Sequence, residues 1–254
     1  MGVDLGEMIA GLRSNDAEVV EALRRVLAPI RVDDVDVFPN LSLYVGEGTG
    51  KFRALHRLYR RGAVVLRTAS TGRLLRSAVK HLDSFLPPPP GLVPLGGELV
   101  VGNRGAVLGL APFGRFELPE RRVRRIGWHT TEGAAAFLDP ASLEVVITEP
   151  RVALDPAALA DLEDRWPVRA GEEAAEPGRY PIRSVVVVDR PGDDLLSASP
   201  ARRRAALAWL LDTSVVPVRS TDVDALGALE GQVDIVRIVG SEPNDLVAAL
   251  RDLC

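Results

Sequence analysis

Residues Gly97–Glu117 read GELVVGNRGAVLGLAPFGRFE. Two apolar runs, Glu98–Val101 and Ala106–Leu110, flank Gly102-Asn103-Arg104-Gly105. Short β-favouring runs around an Asn- and Gly-bearing turn predict a β-hairpin. Its second strand runs straight into Ala111-Pro112-Phe113-Gly114-Arg115-Phe116-Glu117. A short helix is expected over Pro119–Ile126, then a strand pair, Ala134–Leu138 and Glu144–Thr148, joined by Asp-Pro-Ala-Ser-Leu. Asp155 starts a helix with Pro156 at its first position, where a missing N–H costs nothing. Glu172–Arg179 reads as a polar linker, and the apolar run Ile182–Asp189 (IRSVVVVD) as a buried strand. A helix over Ser199–Thr213, a strand over Val233–Val239 and an amphipathic helix over Asn244–Leu253 complete this half.

Upstream of the hairpin, Asp16–Leu27 has helical spacing, with Ser14, Asn15 or Asp16 as its cap. Val32–Phe38 alternates apolar and acidic residues as an exposed strand does, and Leu41–Val45 reads as a strand. The region Arg53–Tyr59 fits a strand or a helical turn, and Ala63–Thr68 a strand. Ser70 opens a helix that runs to the prolines beginning at Pro87. A proline-rich run holds extended geometry and separates compact units. The expected division is therefore 1–86, a linker at 87–91, and a core at 92–254.

Composition sets outer limits. A chain of 254 residues, 46% hydrophobic and 26% charged, buries a substantial core. A net charge of −4 supplies no general pull toward nucleic acid or anionic membranes. No apolar run reaches the roughly 18 residues of a membrane span, and the start carries no signal pattern, so a cytoplasmic protein is expected. The one cysteine, Cys254, excludes an internal disulfide and a cysteine-rich zinc site. Three scattered histidines, His56, His81 and His129, make no metal site by spacing. Lysine occurs only at Lys51 and Lys80 while arginine abounds, a bias typical of GC-rich, actinobacterial-type coding.

The order of hairpin, loop, short helix, Gly127-Trp128, Asp139-Pro140 and Glu149-Pro150-Arg151 resembles the HPr kinase/phosphorylase-like family across nearly the whole chain. The resemblance implies an α/β fold: an HPr-kinase-like, phosphate-loop-type core with a mixed sheet, preceded by a small α+β N-terminal region. It also implies a glycine-rich loop ending in Gly-Lys-Ser/Thr after the hairpin, and an acidic pair six to seven residues past Gly127. Neither is present. Phosphate loops need glycines so that backbone N–H groups curl around the phosphates, a lysine for charge and a hydroxyl for magnesium. Ala111–Glu117 has one glycine, no lysine and no Ser/Thr, and it carries Phe113, Phe116 and Glu117. Arg115 is the weak stand-in for the lysine, and Glu132 is a lone acid where two or three are wanted. The expectation is a degenerate member with no nucleotide, metal or other cofactor.

Two local features compete for attention. Gly46–Lys51 (GEGTGK) resembles a phosphate loop, but its spacing is short by one residue and Phe52 stands in the hydroxyl position. A glycine-rich turn between strands is the better reading. The stretch Lys51–Lys80 holds no Asp or Glu but many basic residues with aromatics interleaved. Arg53, His56, Arg57, Tyr59, Arg60, Arg61 and Arg67 are the partner-binding candidates there. A basic stripe of this kind is a solvated face, a phosphate or nucleic-acid site, or a docking face for an acidic peptide.

Three functions follow as expectations. The first is a non-catalytic HPr-kinase-like protein that binds a peptide or protein partner, in a setting of bacterial peptide modification. The second is a divergent ATP-dependent kinase using Arg115 and Glu132, with Lys51 borrowed from the N-terminal region. The third is nucleic-acid binding by the basic stripe.

Overall fold

The computed structural model of the chain describes residues 1–33, 35–48, 54–95, 98–110, 120–131, 136–168, 175–189 and 232–239, together with 224, 227, 229, 247, 248 and 251. The fold is mixed α/β with two mixed sheets and few helices among these residues. The chain separates into two units. The first comprises 1–86, 132–135 and 149–173, and the second 87–131, 136–148 and 174–254.

The first unit is built on six strands: β1 (Gly2–Asp4), β2 (Ile9–Ser14), β3 (Arg31–Val32), β4 (Pro39–Tyr44), β5 (His56–Arg60) and β6 (Ala63–Thr68). They lie in the order β3-β1-β2-β4-β5-β6. Only β2 and β4 run parallel, linked by α1 (Ala17–Val26). One face alternates into the interior. Val3 opposes Ala10, Leu12 opposes Leu41, and Leu43, Leu58 and Leu66 continue the row, all buried. The helix α2 (Thr71–Asp83) packs on β4, β5 and β6, and α1 on β2. Each cap works as its residue type predicts: the Asp16 carboxylate accepts from Val19 N at 3.0 Å and Ser70 Oγ from Arg73 N at 3.2 Å.

Two strands here were not expected, and one expected strand is cut short. In β2 the apolar pattern is interrupted by Gly11, where any Cβ would lie 2.4 Å from Phe38 O. The acidic alternation from Val32 to Phe38 pairs only at Arg31 and Val32. The antiparallel register Gly2 to Val32 carries the residues after Val32 beyond β1, so they have no strand to join. Arg53–Tyr59 resolves in favour of a strand from His56 onward.

A segment expected within the second core belongs by its contacts to the first unit. The helix α4 (Pro156–Arg165) packs on α1, and Asp155 both caps it and donates its N–H to Val26 O at 2.8 Å. Just before it, Arg151 closes the C-terminal end of α2. Its Nε donates to Asp83 Oδ2 at 3.2 Å, its Nη2 to Asp83 O at 3.0 Å, and its backbone N–H to Asp83 Oδ1. A carboxylate at a helix C-terminus opposes the helix dipole, and this guanidinium offsets it. The surface pairs Arg25–Asp161 and Arg165–Glu18, both 2.7 Å, are exposed and contribute little.

The second unit holds β7 (Val93–Pro94), β8 (Glu98–Gly102), β9 (Gly105–Leu110), β10 (Trp128–Thr130), β11 (Ala136–Asp139), β12 (Glu144–Ile147), β13 (Gly178–Asp189) and β14 (Asp234–Val239). The order is β10-β8-β9-β13-β12-β11-β7, with β14 also on β13. The predicted hairpin is β8–β9, closed by Gly102 opposite Gly105 around Asn103-Arg104. Gly105 has φ +136° and Pro181 O would lie 2.2 Å from a Cβ, so only glycine fits. The short helix α3 (Glu120–Arg125) ends at Gly127, φ +81°, whose N–H donates to Arg124 O at 2.9 Å. β13 begins four residues earlier than expected, because Gly178–Pro181 pairs antiparallel with β12 instead of forming a linker. The expected helices at 199–213 and 244–253 lie outside the described residues, apart from helical 247, 248 and 251.

Three substitutions test the first unit. In a helix Gly→Ala ordinarily stabilises by about 1 kcal/mol, but a Cβ on Gly72 would meet Trp166 O at 2.0 Å. Gly72→Ala is therefore expected to destabilise by about 1–3 kcal/mol in urea unfolding. Asp83 has a side chain only 2% exposed. Arg151→Ala leaves that carboxylate without its cation and is expected to cost about 3 kcal/mol. Arg151→Lys, which cannot reproduce the planar fork, should recover only part of this loss in the same measurement.

Candidate functional site

Two places have the geometry for binding, one in each unit. In the second, β9, β13 and β14 run parallel, so their carboxyl ends share one side of the sheet. Ligands in parallel α/β sheets bind in the crevice beyond those ends. Leu110, the last residue of β9, stands opposite Val187. Asp189, the last residue of β13, stands opposite Val239, two residues further along. The backbone of Asp189 thus lies about 6.6 Å past the end of β9. Sequence reasoning found the strand but not this acid. The signal was there in four valines followed by an aspartate, which ends the strand on an acid. Arg115 and Glu132, the weak catalytic candidates, lie outside the described residues, as do Phe113, Phe116 and Glu117.

The other residues behind the family resemblance have structural duties here. Trp128 is 1% exposed and fills the core beneath β8 and β10. Asp139 turns the β11–β12 hairpin by accepting from Ala141 N at 3.0 Å. Arg179 donates to Asp139 and, at 2.8 Å, to Glu144. The bond from Arg179 holds both carboxyls below their ordinary range. Arg151 binds Asp83, as above. Among the described residues no cluster of three His, Cys, Asp or Glu could hold a metal, and no helix is long and apolar enough to cross a membrane.

In the first unit the basic stripe divides between two sides of one sheet. Arg57 and Tyr59 of β5 alternate with His56 and Leu58, so they face away from the helices. Cross-strand register sets them in two rows. Tyr44, Arg57 and Arg67 form one, and Arg13, Ser42 and Tyr59 the other. Arg13 Nε donates to Ser42 Oγ at 2.8 Å within its row. The strands β4, β5 and β6 contain no Asp or Glu. Arg13 and Ser42 were not among the expected partner-binding residues, because only strand register brings them beside Tyr59.

The remaining candidates are placed differently. Arg60 and Arg61 lie over the Phe85 ring, 5.0 and 6.0 Å from its centroid. Arg53 lies outside the described residues. His56 faces the interior and is only 5% exposed, so it is not part of the open face. Gly46 N donates to His56 Nδ1 at 3.3 Å, which leaves the proton on Nε2, 3.4 Å from Thr71 Oγ1. Gly46 itself is pressed against Leu55 O, 2.4 Å from where a Cβ would stand. The GEGTGK run therefore begins in the connection between antiparallel β4 and β5. A phosphate loop leads from a strand into a helix instead.

No family model, no curated protein and no solved structure matches this chain.

Burial pushes the His56 imidazole below its usual 6.5, with the Asp16 carboxylate partly opposing. Protonation would also break the bond from Gly46. The stability this group contributes is complete above pH 6.5 and is lost as pH falls through its lowered folded-state value. Chemical unfolding from about pH 7.5 to about pH 5 should show a decline in the native protein that is smaller in His56→Gln.

Proposed function

We propose that this protein is a non-catalytic relative of HPr-kinase-like proteins that binds a peptide or protein partner. The observation that carries the reading is the segment following β9. The hairpin strand ends at Leu110 on the carboxyl side of a parallel trio, the place a phosphate loop would occupy. The residues that follow supply one glycine, two phenylalanines and a glutamate, without lysine or hydroxyl. Bulky rings prevent the close backbone approach that phosphates need, and the carboxylate repels them. The face of β4, β5 and β6 away from the helices, on strands without Asp or Glu, carries Arg57 and Arg67 and offers a surface for a partner. A cytoplasmic setting within bacterial peptide modification fits this reading.

Asp189 favours a second reading, a divergent kinase. Asp189 ends the strand beside β9, and an acid at such a strand end is the residue type that holds a phosphate-bound magnesium. Arg115 would then supply the charge that a lysine gives elsewhere.

Isothermal titration with Mg-ATP separates the two. The non-catalytic reading expects no heat of binding at millimolar nucleotide. Micromolar binding that is lost in Asp189→Asn would replace it with the kinase reading.

A further inference from the structure

We propose that the face of β4 and β5 away from the helices binds single-stranded nucleic acid, with bases stacked on Tyr44 and Tyr59 and phosphates met by Arg57 and Arg13. The inference goes beyond the partner-binding reading and does not rest on it.

The placement comes from strand register. Ser42 and Tyr59 are cross-strand partners, as are Tyr44 and Arg57. Leu41, Leu43 and Leu58 alternate with them and are buried, so all four stand on the side away from the helices. Tyr44 and Tyr59 are then diagonal neighbours, about 7–8 Å apart. Arg57 adjoins both positions, opposite Tyr44 and two residues along β5 from Tyr59. Arg13 joins from β2, opposite Ser42 and bonded to its Oγ at 2.8 Å. Tyr44 is 46% exposed and Tyr59 half-buried. A single exposed ring is ordinary on a protein surface. Two tyrosines at neighbouring positions, with arginines beside them, make the alternation of stacking surface and cation that unpaired bases and their phosphates use.

The charges agree with the placement. Arg57 is half-buried, and its Nε has no hydrogen-bond partner among the described residues. A guanidinium without its full set of acceptors gains from a charged one such as a phosphate oxygen. The strands β2, β4 and β5 contain no Asp or Glu. Asp4 is the one acid in the six strands of this sheet. It pairs with Ile9, four residues back along β2 from Arg13, which is roughly 13 Å of strand. Charges that far apart are largely screened where the Debye length is about 8 Å. The net charge of −4 is therefore not expressed on these strands.

An acidic peptide would meet the arginines but would make no particular use of two aromatic rings. A duplex keeps its bases stacked inside and offers the tyrosines no free face. A single strand uses both features, since each nucleotide brings one planar base and one phosphate.

The test uses the full chain and a fluorescein-labelled oligothymidylate of about ten nucleotides at low salt. An oligouridylate of the same length is run beside it, and whichever binds more tightly names the nucleic acid the face takes. Controls are an abasic oligomer with the same phosphates, a duplex of the same length and a polyglutamate peptide of matched charge. The better single strand should bind at least about tenfold more tightly than each control. Tyr44→Leu and Tyr59→Leu should each weaken binding about tenfold, whereas Tyr44→Phe and Tyr59→Phe, which keep the ring, should retain it. Arg57→Gln should lower the salt slope of binding by about 1. A 5-iodouracil form of the oligomer should photocrosslink to Tyr44 or Tyr59. Absence of binding by both single strands, equal binding of the abasic oligomer, or unchanged affinity in both Tyr→Leu variants would each overturn the proposal. Tighter binding of polyglutamate would also overturn it and give the face to an acidic peptide.

Discussion

The second unit depends on β13 having hydrogen-bond partners for all of its length. A strand of apolar residues with no room for water must satisfy every N–H and C=O through neighbouring chain. β13 does so in two parts. Gly178–Pro181 pairs antiparallel with β12, and from Ile182 the strand pairs parallel with β9, joined by β14 from Ser184 onward. Val185, Val186 and Val187 are almost fully buried as a result. That double use fixes where the sheet changes from antiparallel to parallel, and it places the end of β9 beside the end of β13. It also sets the backbone of Asp189 beyond the end of β9. The first unit is organised differently, by a face of leucines under α1 and α2, with α4 packed on α1.

What could be read from the sequence follows from whether the signal was local. The hairpin of Gly97–Leu110, the strands at 63–68, 182–189 and 233–239, and the caps at Asp16, Ser70 and Asp155 each depend on neighbours within a few residues. They appear in the structure close to their expected bounds, except that the strand expected from Ile182 begins at Gly178. β2 was hidden because Gly11 is set by Phe38, a partner 27 residues away by number. The strand expected over Val32–Phe38 had the correct alternation but lacked a neighbour of sufficient length. The return of residues 149–173 to the first unit was hidden for a similar reason. Arg151 shows nothing of Asp83 in the sequence, and the pair forms only when α2 and the following segment meet.

The same distinction governs the sites. A count of arginines between Lys51 and Lys80 finds a basic stripe but cannot assign sides. Strand alternation turns His56 and Arg60 inward and Arg57 and Tyr59 outward, and register brings Arg13 and Ser42 across from another part of the chain. Half of the apparent cationic surface is thereby accounted for by packing, including the two guanidinium groups over Phe85. The residues left on the open face are fewer than the sequence implies, but they are better ordered.

Electrostatics decides which of the two places an anion would choose. Two unit charges 4 Å apart interact by about 1 kcal/mol in water and about 4 kcal/mol at the effective dielectric near a protein surface. In sequence, β13 ends on Asp189 and the stretch after β9 carries Glu117 with a single Arg115. That count is net negative and gives a triphosphate no attraction of its own. On the first sheet the strands β4, β5 and β6 carry Arg57, Arg60 and Arg67 and no Asp or Glu, so by sequence these strands are net positive. An anion is therefore better met by these strands of the first sheet than by the acids that end β13 and follow β9 in sequence.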